Sequence, residues 1–166
     1  MADTRPKVSL PPNAFDLICL ALVVVVILYT GVTLWLDYAD LPDKIPTHYN
    51  FDGKADAYGS PSNVIWLIAI QVGLALLLYI VSQYPHKHNY MVEITEENAA
   101  RIYGLSVSLL HGLNAIISML FGYLILNVFW LPEGNTDSLN TTIMISFLMS
   151  IVLLSAYFIW QMYKSR

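Results

Sequence analysis

The chain has 166 residues, 57% of them apolar and only 12% charged, and its mean hydropathy is +0.57, which excludes an ordinary water-soluble domain. A formal net charge of -4 with no Lys/Arg run excludes a basic nucleic-acid-binding face, so no nucleic acid is expected as a partner. The lone cysteine, Cys19, excludes an internal disulfide and a thiolate metal cluster.

Four apolar runs are long enough to cross about 30 Å of hydrocarbon at about 1.5 Å per residue. They cover 15–36, 64–81, 102–130 and 142–163. A tail of residues 1–14 precedes them, an outer loop covers 37–63, and a short tail of 164–166 follows. The first run follows Arg5 and Lys7 as a secretory signal would. It is too long for one and ends in Leu34, Trp35 and Leu36 rather than small residues, so it reads as a retained helix.

Basic residues near helix ends set the expected orientation. Arg5, Lys7, Lys87, Arg101, Lys164 and Arg166 fall on one side. Lys44 and Lys54 fall on the other, in a loop that also holds Asp37, Asp40, Asp43, Asp52 and Asp56. Both termini are therefore predicted to be cytoplasmic. Trp35, Trp66 and Trp130 mark the outer boundary, and Trp160, Tyr163 and Tyr84 the inner one, where amphipathic rings settle at headgroup level. The expected fold is an all-α integral membrane protein, a four-transmembrane-helix up-down bundle with a small extracytoplasmic β-hairpin-like loop. A homo-oligomer of such units stays open.

In the third run Gly104, Ser108, His111, Ala115, Ser118 and Gly122 recur at steps of three and four, a face on which another backbone can approach closely. Ser146 and Ser150 repeat the pattern in the fourth. No internal repeat is visible.

The outer loop is rich in turn formers. Asn50-Phe51-Asp52-Gly53 carries the residues of a type I turn closed by a left-handed glycine, which predicts a hairpin with arms near 45–49 and 54–58. Pro46 is confined to an edge, Ser60 is placed to cap the second helix and Pro61 to occupy its first turn. Beyond the second helix, Tyr90, Val92 and Ile94 alternate as a short extended piece, and Thr95 caps a helix whose first turn bears Glu96 and Glu97.

The string LPDKIPTHYNFDGKADAYGS resembles the signature of a bacterial membrane domain of unknown function, 1648, which also forms the N-terminal part of SdpI-type bacteriocin-immunity proteins. The matching residues are Pro42, Ile45, Pro46, His48, Asn50, Gly53, Asp56, Gly59 and Ser60. A basic residue often follows the Gly-Ser pair in that family; Pro61 stands there instead. The segment from Asn89 through Thr95 and Asn98 to Tyr103 is similar to members of the family from Bacteroidetes-like bacteria. The resemblance implies a bacterial cytoplasmic membrane location and an immunity-type recognition role.

Three clusters carry candidate chemistry. His48, Asn50 and Asp56 form a candidate ligand-binding set in the outer loop, where His48 can act as cation ligand, proton acceptor or recognition contact. The alternative is that His48 bonds the loop backbone and Asn50 merely builds the turn. Gln71, His111 and Ser150 fall at comparable depth by residue count and can form one intramembrane polar layer, a pathway for protons or a polar ligand; the alternative is interhelical hydrogen bonding. His86-Lys87-His88 reads as a solvated juxtamembrane turn rather than a metal site.

No catalytic residue, cofactor or metal is expected. One histidine with scattered aspartates matches neither a zinc triad nor a calcium loop, and phosphate loops, nucleophile elbows and triads are absent from the sequence. Ser108 three residues before His111 is poorly placed as a nucleophile with its base. The leading expectation is a non-enzymatic recognition protein whose partners are membrane lipid and either a membrane-active peptide or another membrane protein. The alternative is a small transporter or channel subunit using the polar layer.

Overall fold

The computed structural model describes residues 5–130 and 138–165. Part of the N-terminal tail, residues 131–137 of the third connection, which carry no Lys or Arg, and Arg166 lie outside the described residues. The chain is mostly helical, with four helices long and apolar enough to span a membrane and one small two-stranded sheet.

Helix α1 (Ala14–Asp37) begins with a reciprocal cap. Asp16 N donates to Asn13 Oδ1 at 2.9 Å and Asn13 N donates to the Asp16 carboxylate at 3.3 Å, so two otherwise orphaned amides are satisfied together. A single 3-10 turn, Tyr38–Asp40, leads into strands β1 (Ile45–Tyr49) and β2 (Ala55–Gly59). Helix α2 (Asn63–Ser82) follows, then a second 3-10 turn, Pro85–Lys87. Helices α3 (Ala99–Trp130) and α4 (Thr141–Lys164) complete the chain. Asn140 caps α4, its Oδ1 accepting from Thr142 N and Ile143 N at 3.0 and 3.2 Å.

Three boundary expectations shift for identifiable reasons. α3 starts at Ala99 rather than at 102, because Thr95 and Asn98 bond reciprocally and order the preceding turn. α2 starts at Asn63; Ser60 does not cap it but closes the turn before it, its hydroxyl accepting from Ser62 N at 3.3 Å. The second hairpin arm starts one residue later than expected, at Ala55. Residues 90–94 alternate between half-buried and exposed, as their pattern implies, without pairing into a strand.

α3 is the central helix, and its small residues set the approach. A Cβ on Gly122 would lie 2.7 Å from a Val26 methyl, and one on Gly112 would lie 2.7 Å from a Leu154 methyl. Asp16 meets Ser108 and Thr30 nears Gly122, so α1 follows α3 in the same direction. Ser82, Ala75 and Gln71 of α2 meet His111, Asn114 and Ser118 in reverse order. α4 lies outermost: Phe158 is its one buried residue, and Ser146 and Ser150 are exposed.

The hairpin docks on the far end of α3 from His111. Ile45, 1% exposed, packs with Val64, Ile125 and Val128 in one apolar cluster. The turn tip is tied down as well: Leu139 N donates to Gly53 O at 2.7 Å and Lys54 pairs with Ser138.

Candidate functional site

Asn50 builds the hairpin turn. Its Oδ1 accepts from Asp52 N and Lys54 N, both at 3.0 Å, and its carbonyl accepts from Gly53 N at 2.9 Å. Gly53 adopts φ +79°, which glycine takes without strain. A Cβ there would collide with the Leu139 carbonyl oxygen, so close approach and backbone sign both require glycine. Asn50 is thereby engaged in the turn through its Oδ1 and its carbonyl.

The strands pair Ile45 with Gly59, Pro46 with Tyr58, His48 with Ala57 and Tyr49 with Ala55. Thr47 and Asp56 are left out of register, one on each strand, and such bulges re-aim side chains. The result is a cross-strand contact of 2.5 Å between His48 Nδ1 and the Asp56 carboxylate. The pair faces outward, with side chains 68% and 45% exposed.

Beneath the hairpin lies a cavity of about 900 Å³. His48 and Asn50 stand at its polar edge, while Trp66 and Ile70 of α2, Val128 of α3, and Met144 and Leu148 of α4 supply an apolar wall. Its size and character are those of a site for an apolar ligand fixed by a few polar groups.

Gln71, His111 and Ser150 do not form one layer. Ser150 is exposed on α4 and its hydroxyl donates back to Ser146 O at 2.7 Å; Ser146 does the same to Thr142 O at 2.8 Å. Serines bonded to their own helix have no need of an interhelical partner, so the small-residue spacing in α4 marks no packing face. Gln71 is buried beside Thr30, whose hydroxyl is 3.1 Å from Oε1, and its Nε2 donates to Ser118 O at 3.1 Å. One turn away Asn114 donates to Ala75 O at 3.0 Å, and a turn further His111 Nε2 meets Ser82 Oγ at 3.0 Å. The polar groups form a ladder along the α2–α3 seam.

His111 also lies nearer the end of the helices than residue counting from Arg101 implies. Ser82 is the last residue of α2 and Asp16 belongs to the first turn of α1, yet both sit at the level of His111. α3 extends about three turns beyond the end of α2, so its first residue does not mark the end of the shared apolar layer.

A carboxylate joins this group. Asp16 Oδ1 accepts from Ser108 Oγ at 2.7 Å and lies 3.6 Å from His111 Nδ1, with both ionisable side chains 4% exposed. Asn13 Nδ2 donates to the same Ser108 hydroxyl at 3.0 Å. The signal was present in sequence: a lone aspartate inside the first apolar run, three residues after a capping asparagine. Counting the run as one hydrophobic block hid it.

On the same end Arg5 donates to the His86 and His88 carbonyls and lies over the Tyr90 ring at 5.6 Å. His88 is bonded to Ser106 at 2.8 Å and to Val81 O at 3.0 Å, which ties the turn to the bundle instead of leaving it solvated. Burial, chiefly, raises the Tyr90 hydroxyl above its ordinary pKa, and it donates to Pro85 O at 2.8 Å. Among the described residues no group of three or more His, Cys, Asp or Glu is placed to hold a metal ion.

No curated protein and no solved structure matches the chain. Residues 17–72, which cover most of α1, the hairpin and the first half of α2, match the family model of a domain of unknown function, DUF1648, so the hairpin and its two flanking helices are the part of this chain similar to that family.

Proposed function

We propose that this is a non-enzymatic recognition protein of a bacterial cytoplasmic membrane, crossing it four times in up-down order with both termini cytoplasmic and the hairpin outside. Its ligand in this reading is a cationic amphipathic, membrane-active peptide. The observation that carries the proposal is the apolar cavity of about 900 Å³ under a hairpin whose exposed edge bears the His48–Asp56 pair.

The chemistry is complementary. Residues 37–63 hold five Asp against two Lys, a local excess of three negative charges that draws a cationic peptide to the site. The wall of Trp66, Ile70, Met144 and Leu148 accepts the apolar face of an amphipathic helix, the groove-and-helix mode of recognition. The His48–Asp56 contact fixes the carboxylate on the exposed face of the hairpin, next to a histidine that lines the cavity, where an incoming Lys or Arg would meet it.

The test uses the full chain in lipid nanodiscs with Trp35, Trp130 and Trp160 replaced by Phe, leaving Trp66 as reporter. Titration with a Leu/Lys amphipathic peptide should change Trp66 fluorescence saturably, and Asp56→Asn or His48→Ala should weaken the apparent affinity at least about tenfold, equivalent to about 1.4 kcal/mol. A non-saturating response identical in the Asp56→Asn protein would reduce the effect to lipid partitioning and defeat the proposal.

A further inference from the structure

We propose that Asp16 and His111 form a proton-binding site, holding one exchangeable proton between them where α1, α2 and α3 meet. The case begins with hydrogen-bond accounting. Ser82 Oγ donates its one hydrogen to Tyr79 O at 2.7 Å, so toward His111 Nε2 at 3.0 Å it is an acceptor, and Nε2 carries a hydrogen. The Ser108 hydroxyl likewise spends its hydrogen on Asp16 Oδ1 at 2.7 Å and accepts from Asn13.

His111 Nδ1 is then the atom left over. The residue is 3% exposed, Nδ1 has no hydrogen-bond partner among the described residues, and it points at Asp16 Oδ1 across 3.6 Å. Were Asp16 ionised and His111 neutral, a bare nitrogen lone pair would face a carboxylate in a buried site, with nothing between them. One added proton removes that conflict. On Asp16 it gives a carboxylic acid directed at Nδ1; on Nδ1 it gives an imidazolium beside a carboxylate, with Nε2–H retained by Ser82 in both forms. The pair is neutral overall in either arrangement, the form of least cost away from water.

The surroundings leave the proton to these two groups. From α2 come Tyr79, whose ring stacks on the imidazole at 6.5 Å, and Ser82; from α1, Cys19 lies one turn beyond Asp16. α4 reaches this end with Leu154 against Gly112 and with Phe158 against Phe15, both apolar. The turn after α2 contributes His88, already bonded on both ring nitrogens to Ser106 and Val81, and Arg5 is engaged with the His86 and His88 carbonyls. The site lies close to solvent, because the N-cap Asn13, bonded to both Ser108 and Asp16, is exposed. Because Asp16, Ser82 and His111 belong to three different helices, loading the site alters how these helices are fastened together.

The experiment is nitrogen NMR of ¹⁵N-histidine-labelled protein in nanodiscs, with His48, His86 and His88 replaced by Gln so that His111 alone reports. The expected result is a protonated or strongly hydrogen-bonded Nδ1 in the wild-type pair, lost reversibly as pH is raised. Asp16→Asn keeps an acceptor for Ser108 but should show a neutral Nε2–H ring with bare Nδ1 throughout. Identical ring spectra with Asp16 and with Asn at this position, or a wild-type spectrum that does not respond to pH, would overturn the proposal. If Asp16→Asn fails to fold, the carboxyl-stretch infrared band of Asp16 reads the same proton from the other side. That band should differ between wild type and His111→Asn, and an unchanged band would overturn the sharing equally.

Discussion

The molecule carries two Asp–His pairs, at opposite ends of α3, in opposite environments. His48–Asp56 lies across the hairpin with side chains 68% and 45% exposed, and Asp16–His111 lies between helices with both 4% exposed. Water solvates either member of the first pair if its partner is lost, so that pair adds little stability and remains free to meet a ligand. The second has no such alternative, because removal of one member strands the other in an apolar setting. Identical chemistry thus gives an accessible surface pair in one place and an attachment between helices in the other.

The sharpest way to break the comparison is to truncate the buried pair. Asp16→Ala or His111→Ala should destabilise the detergent-solubilised protein by about 3–5 kcal/mol in an unfolding titration. The two truncations together should lose less than the sum of the singles, because the orphaned partner is gone as well. Next comes the hairpin anchor. Gly53→Ala demands both a positive φ and displacement of the Leu139 carbonyl, a strain of about 1–3 kcal/mol. It should read out as faster hydrogen exchange of residues 45–59 and 139, with the helices unaffected.

Truncating Gln71 to Ala removes its contacts with Thr30 and Ser118 and should cost about 1–2 kcal/mol by the same unfolding measurement, with Gln71→Leu milder. His48→Ala and Asp56→Ala should each change stability by no more than about 1 kcal/mol while weakening peptide binding about tenfold or more. The smallest effect belongs to Ser150→Ala, within about 0.5 kcal/mol, since that hydroxyl bonds its own helix.

The helices and the hairpin were legible in the sequence because their signals are local. Apolar run length marked all four helices, and Asn50 with Gly53 marked the turn and its positive φ. The facing of Ser108, His111, Ala115, Ser118 and Gly122 into the bundle followed from helical spacing, and these residues are buried, whereas Gly104, assigned to the same face, is half-buried and a Cβ there would meet nothing within 4 Å. Depth and partnership were not legible, because they depend on how far one helix slides past another. α3 runs past α2, so equal residue counts did not mean equal depth, and Gln71 and His111 occupy different rungs of the ladder. Ser150 failed for a related reason: spacing shows which residues share a face, not whether a neighbour covers it. Asp16 was missed because its two roles, helix cap and partner of Ser108 and His111, draw on residues 3, 92 and 95 positions away, of which a local reading sees only the first.

The central claim is that the hairpin and its cavity face away from the cytosol while the Asp16–His111 end faces toward it. Single cysteines introduced as Lys54→Cys or Lys87→Cys in a Cys19→Ala background, probed in intact cells with a membrane-impermeant thiol reagent, test it directly. Lys54→Cys should label in intact cells, and Lys87→Cys should label after permeabilisation only. Labelling in the reverse order would place the hairpin in the cytosol and contradict the account.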